Sequence, residues 1–192
     1  MIPTLAISDT FLPWQFKIRN PQLPLIDHEH GGVGLNDPTA GLRGYDWTAE
    51  YDPDTANVYV YRDDLGPETR VAVYNRAGIS RLGLAFDQNM RPTLCFSDGD
   101  GVHVWFYKSS EEAMGILTIP GASSPCITLD DRRPERVSES DVILSYMSGS
   151  NLCARVQREV YDNEHTLALD NPSELIAFGM TKELVMQWRI AN

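Results

Sequence analysis

The strongest constraint on the fold is a succession of short apolar–polar alternating segments, each closed by a tight polar turn. Val58-Tyr59-Val60-Tyr61 is β-branched and aromatic, and Asp63-Asp64-Leu65-Gly66-Pro67 follows as a turn. Arg70-Val71-Ala72-Val73-Tyr74 then reads as the partner strand. Leu82-Gly83-Leu84-Ala85-Phe86 turns at Asp87-Gln88-Asn89 into Pro92-Thr93-Leu94-Cys95-Phe96, and Asp98-Gly99-Asp100-Gly101 leads on to Val102-His103-Val104-Trp105-Phe106-Tyr107. A similar unit joins Asp141-Val142-Ile143-Leu144-Ser145-Tyr146 to Leu152-Cys153-Ala154-Arg155-Val156-Gln157 through Gly149-Ser150-Asn151. The last pairs Glu174–Met180 with Leu184–Ile190. Leu152, Val156 and Val160 also fit a helical spacing, but the turn before them favours a strand.

Strands at this spacing predict a mainly β chain, with antiparallel hairpins forming a propeller-blade-like or sandwich domain over residues 46–192. About two and a half blade-like units are too few to close a propeller, which takes about four. Such a stack keeps free edges, and free edges must be covered, charged or paired with another chain. Assembly is therefore expected.

Residues 1–45 read differently. Pro3, Pro13, Pro21, Pro24 and Pro38 fall here, with Pro53 soon after, and rule out a long helix or a central strand. The stretch reads as an extended, Pro-rich docking arm with loops. Phe11, Leu12, Trp14, Phe16 and Ile18 recur along it and must be buried somewhere, on this domain or on a neighbour. Phe11, Trp14 and Phe16 are accordingly candidate interface residues. So are Arg132 and Arg133 in the mixed-charge run Asp130–Arg136, since arginine is favoured at protein contacts.

Charge and cysteine content narrow the function. A formal net charge of -11, with 16 scattered Lys and Arg, argues against specific nucleic-acid binding. Apolar runs are too short for a membrane helix. Met1-Ile2-Pro3-Thr4 lacks the pattern of a secretory signal, so folding in the cytosol is expected. Cys95, Cys126 and Cys153 each sit among apolar or small neighbours without a CxxC spacing and read as reduced, buried thiols.

Candidate chemistry is sparse, and neither an enzyme nor a cofactor is expected. Asp27-His28-Glu29-His30 offers metal-ligand types, but Gly31-Gly32 after it suits a solvated loop. Asp98-Gly99-Asp100-Gly101 resembles part of a calcium loop, yet the strand beginning at Val102 makes it a hairpin turn. Asp52-Pro53-Asp54 reads the same way. Asp87, Asp98, Asp130 and Asp141 are the carboxylates from which a glycosidase pair would have to come. Trp105, Phe106 and Tyr107 are consecutive, so each face of that strand receives an aromatic ring, while Trp14, Trp47 and Trp188 are left open between an outward, partner-anchoring role and the core burial that is the default for most aromatics.

Several short motifs together resemble small β-rich virion proteins of tailed bacteriophages, of the tail or head–tail junction. They are Gly31–Leu42 with Trp47–Tyr51, Leu84–Asn89 with Arg91-Pro92, Leu129–Arg133, Ser140–Tyr146, Asn151–Glu159, and Gly179-Met180-Thr181 with Leu184–Trp188. The similarity departs at Cys153-Ala154, where aromatic residues are expected. The resemblance implies a structural homo-oligomer, assembled in the host cytoplasm into a virion. Its partners would be other virion proteins of tail, adaptor or portal type. An acidic wall would also keep a DNA conduit from sticking to passing phosphates. The other expectation carried forward is a carbohydrate- or receptor-binding β module of a tail fibre or spike, for which outward aromatics beside Asp-rich loops would speak.

Overall fold

The computed structural model describes residues 32–34 (backbone only), 45–87, 91–129, 142–170, 174–180 and 186–190. The chain is mainly β, and among the described residues all strand pairs are antiparallel. β1 (Gly32–Gly34), β2 (Tyr45–Asp52), β3 (Asn57–Arg62) and β4 (Val71–Asn75) form a first sheet in that order. β5 (Arg81–Phe86), β6 (Pro92–Asp98), β7 (Gly101–Lys108) and β8 (Ala113–Pro120) form a second. β9 (Ala122–Leu129), β10 (Val142–Ser148), β11 (Asn151–Val156) and β12 (His165–Ala168) form a third. β13 (Leu175–Met180) and β14 (Met186–Ile190) make a hairpin that stands alone as the fourth.

Most of the expected hairpins are present. The pairing of β3 with β4 takes in the two expected segments, although two short 3-10 turns at Asp63–Leu65 and Pro67–Thr69 replace a simple loop. The ambiguous stretch is strand β11, and 3-10 geometry begins only at Gln157. The count of units differs from expectation: three complete four-stranded sheets and a hairpin, where two and a half units were read. β1, β2, β8, β9 and β12 account for the difference. Within the stretch read as an arm, residues 32–34 pair with β2 as β1.

The central strands of the second and third sheets are almost continuously buried, which gives those two sheets an apolar layer on both faces, so the sheets stack. Ala49, Val58 and Val60 of the first sheet meet Leu84, Phe86, Leu94 and Phe96 of the second. The opposite face of the second sheet, with Cys95, Val102, Val104 and Phe106, meets Ile127, Val142, Leu144 and Tyr146 of the third. The far face of the third, with Ile143, Met147, Leu152 and Val156, covers Leu175, Phe178 and Trp188 of the fourth. The sheet order along the stack is therefore the chain order.

The first strand of each sheet lies innermost: β5 and β13 both pack on β9, and β1 packs on β5. Arg81 of β5 ties three of these strands together. Its guanidinium donates to the Ile176 carbonyl at 2.6 Å and to Cys126 Sγ at 3.4 Å, and pairs with Glu174 at 2.9 Å. Burial falls away outward from this centre. Along one cross-strand row of the second sheet, Leu84 and Leu94 are buried, Trp105 is half-buried and Ile116 is exposed. The sheets thus touch closely at their inner strands and part toward β4 and β8.

β9 carries Pro125 and a left-handed Ser124 (φ 53°), both tolerable because β9 is an edge strand paired only with β10. The segment after β11 returns Tyr161 into the core between the second and third sheets. Its ring meets Phe106 edge-on at 4.7 Å, and its hydroxyl donates to the Val142 carbonyl at 3.2 Å. Tyr161 holds φ 60°, fixed by Arg155 Nη1 donating to the Tyr161 carbonyl at 2.7 Å. Tyr161→Phe keeps the ring but orphans a buried carbonyl, so a cost of about 1 kcal/mol is expected, read as a lower urea midpoint at unchanged slope.

Candidate functional site

A polar constellation that takes in one of the sequence-derived carboxylates sits at the β6–β7 turn. Asp98 and Gly101 face each other as the closing pair of the hairpin, and Asp98 Oδ1 accepts the Asp100 amide at 2.8 Å. Gly101 is required here: it holds φ 136°, and a Cβ at this position would lie 2.3 Å from the Ile119 carbonyl oxygen. The segment read as a calcium-like loop is a hairpin turn, as expected. Asp52-Pro53-Asp54 likewise turns β2 into β3, with Asp52 accepting the Asp54 amide at 2.9 Å and the Thr55 hydroxyl at 2.8 Å.

His103 lies on β7, fully buried, with its ring stacked on Phe96 at 4.9 Å. Its two ring nitrogens bridge Asp98 Oδ1 at 2.8 Å and Thr118 Oγ1 of β8 at 3.0 Å. Arg76, from the link between the first and second sheets, donates Nε to Asp98 Oδ2 and Nη2 to Asp100 at 2.9 Å. Burial of Asp98 works against its ionisation, but the bonds from His103, the Asp100 amide and Arg76 outweigh it and hold the carboxyl at about 2. A carboxylate so held is ionised and accepts three hydrogen bonds, two at Oδ1 and one at Oδ2. It is the reverse of a general acid, whose pKa must rise. The order hydroxyl–imidazole–carboxylate resembles a catalytic relay, but the geometry here joins β6, β7, β8 and the Arg76 link.

The other sequence-derived candidates are distributed as follows. Asp87 is buried, with Oδ1 accepting the Arg91 amide at 2.9 Å and Oδ2 facing Gln157 Nε2 at 3.5 Å. Asp130, Asp141, His28 and His30 lie outside the described residues, as do Phe11, Trp14, Phe16, Arg132 and Arg133. Among the described residues no three His, Cys, Asp or Glu side chains are grouped to hold a metal ion. Cys95, Cys126 and Cys153 are free and buried, as read from their neighbours. Burial pushes the Cys153 thiol up to about 11, which suits an inert core position.

Trp188 is core: it stacks on Phe178 with centroids 5.0 Å apart and donates Nε1 to Ser145 Oγ at 2.9 Å. Trp47 is half-buried against Phe86, and Trp105 is half-buried against Tyr74. Sequence reading missed the role of His103, because nothing local marks a strand histidine as the bridge between a turn aspartate and a neighbouring strand's threonine.

The surfaces available for contact are the outer strands and the two ends of the stack. Val71 on β4, and Met114 and Ile116 on β8, are exposed. By register they lie on the sides where the first and second sheets part. The outward face of the first sheet carries Tyr59 and Tyr61, half-buried, with the Arg70 guanidinium 4.3 Å above the Tyr59 ring. Comparison with protein families, with curated proteins and with solved structures finds no match.

Proposed function

We propose that the chain is a structural component of a phage virion, associated with the tail or the connector, that acts through protein–protein assembly. The observation that carries this reading is the open stack. Among the described residues the sheets pack one on the next in chain order, and no core cluster joins the first sheet to the fourth. Both ends of such a stack, and the outer edge strands β4, β8 and β12, offer surface to further copies or other virion proteins. The family resemblance of the sequence motifs supplies the biological setting, and the acidic composition suits a surface beside passing DNA.

Static light scattering of the purified chain across a concentration series tests the reading. A mass that rises to a defined multiple of the 21.5 kDa subunit is expected. A species that stays monomeric at every concentration would count against it.

One observation favours the alternative, a carbohydrate- or receptor-binding module. Tyr59 and Tyr61 lie on an outward sheet face, near the Asp52 turn, as rings that stack on sugars do. Arg70 already covers one face of Tyr59. Binding on a glycan array, lost in Tyr61→Ala, would shift the balance to that reading.

A further inference from the structure

The edge strands β4, β9 and β12 each carry a device that keeps a strand edge from pairing further. β4 is 5 residues long, slips register against β3 and lies between Arg70 and Arg76. β12 is 4 residues long and slips against β11. β9 holds Pro125 and the left-handed Ser124. β8 has none of these. It runs for 8 residues in unbroken register with β7, holds no charged side chain, and meets a proline only at its last position. Among the described residues it pairs with β7 alone, and its Met114 and Ile116 are exposed.

The register fixes which backbone groups of β8 turn outward. Asp98 and Gly101 close a two-residue turn as a hydrogen-bonded pair, so Gly101 directs its backbone groups at β6. His103, Trp105 and Tyr107 follow at period two and do the same. Their partners on β8 are Thr118, Ile116 and Met114, which therefore point N–H and C=O away from β7, along the outer edge. Pro120, opposite Gly101, occupies such an outward position, where its missing N–H breaks no bond to β7.

Resting on the assembly reading above, we infer that β8 pairs antiparallel with β8 of a second copy, about a two-fold axis at Ile116. Ile116 then faces its own copy, and Met114 faces Thr118, each pair exchanging both of its N–H···O=C bonds. The second sheets of the two copies become one continuous sheet, and Met114 and Ile116 lose their exposure to water. Charge selects the occupant. A chain of net charge -11 repels its own copy wherever acidic surfaces meet, and β8 is an uncharged strip that offers a charged partner strand no counter-ion. The antiparallel register also carries Glu111 and Glu112 of each copy out beside Pro120 and Gly121 of the other, so no acid faces an acid. A parallel pairing would set those glutamates against each other. The contact is isologous and leaves the two ends of the stack open to other partners.

The full chain is compared below and above the concentration at which light scattering detects assembly. On assembly, the amides of Met114, Ile116 and Thr118 are expected to exchange more than about tenfold more slowly, while Gly115, Leu117 and Ile119, already bonded to β7, change little. Ile116→Lys is expected to remove that slowing and to lower the assembled mass at least twofold, with the circular dichroism of the subunit unchanged because the side chain is exposed. Ile116→Cys is expected to give disulfide-linked dimers on oxidation, against a low background because the native thiols are buried. Met114→Cys, whose two copies would lie about 14 Å apart, is expected to give none. Linkage through Met114→Cys in place of Ile116→Cys would overturn the two-fold register. Slow outward amides in the monomer would overturn the inference by showing that the edge is covered within one chain. Assembly of undiminished mass in Ile116→Lys would overturn it and leave the assembly reading intact. A chain monomeric at every concentration would overturn both.

Discussion

Asp98→Ala is expected to lower the unfolding free energy by about 2–4 kcal/mol, because it leaves the buried His103 ring and the part-buried Arg76 guanidinium without their shared acceptor. The Asp98 side chain is 6% exposed, and its loss strips His103 Nε2, the Asp100 amide and Arg76 Nε of one shared acceptor. Asp100 provides the control. It pairs with the same Arg76 but is 77% exposed, so Asp100→Ala should cost well under about 1 kcal/mol. Urea denaturation of both variants at neutral pH separates them, and equal losses would refute the account of this cluster.

The same carboxylate sets an acid limb. Its folded pKa lies near 2 against an ordinary 3.8, so the folded state binds this proton less readily than the unfolded chain. The resulting stabilisation, on the order of 2 kcal/mol, is fully present above about pH 4 and is lost as pH falls toward 2. The stability gap between the native chain and Asp98→Ala should therefore narrow over that window. The remainder of the gap persists, since the geometry of Arg76 and His103 is disturbed at any pH. A gap that stays constant from pH 5 to pH 2 would contradict the assigned pKa.

Trp188→Ala is expected to cost a further independent loss of about 3–5 kcal/mol, as large-to-small changes in a close-packed core do. Trp188 is the largest fully buried side chain among the described residues, stacked nearly parallel on Phe178, and its Nε1 donates to the buried Ser145 hydroxyl. A two-stranded hairpin has little stability of its own, so the fourth sheet depends on this anchor to the third. Hydrogen exchange should show β13 and β14 losing protection first, while the second sheet keeps its own. Uniform loss across all four sheets would mean that the hairpin is integral to one cooperative unit. Trp188→Phe should fall between, retaining the ring stack but leaving Ser145 Oγ without its donor, at about 1–3 kcal/mol.

Legibility from sequence varied with how a strand is used. β3, β5, β6, β7, β10 and β11 were plain, because β-branched, aromatic or continuous apolar runs end in Asp- or Gly-rich turns. β8 was passed over because it is an outer strand, with Met114, Ile116 and Thr118 facing the side where the sheets part, so burial imposes no strict pattern on it. β9 was hidden by Ser123, Ser124 and Pro125, which an edge strand with an irregular register tolerates and a central strand would not. β12 is only 4 residues long and borrows its order from β11. The Asp98 turn was legible as a turn. Its link to His103 and Thr118 was not, because cross-strand register decides which residues become neighbours and no local motif records it.

By itself the sequence determined the class: alternating segments and tight turns commit the backbone to antiparallel hairpins, and isolated thiols among apolar neighbours commit the cysteines to the core. It also determined the acidity of the surface and the presence of an apolar, proline-broken leading segment. Only the tertiary structure decided how many strands pair in the first three sheets and the order in which the sheets stack. The reason is physical. Alternation is enforced by local backbone geometry and burial, whereas sheet width and stacking depend on pairings between residues far apart in the chain, whose closeness no local pattern encodes.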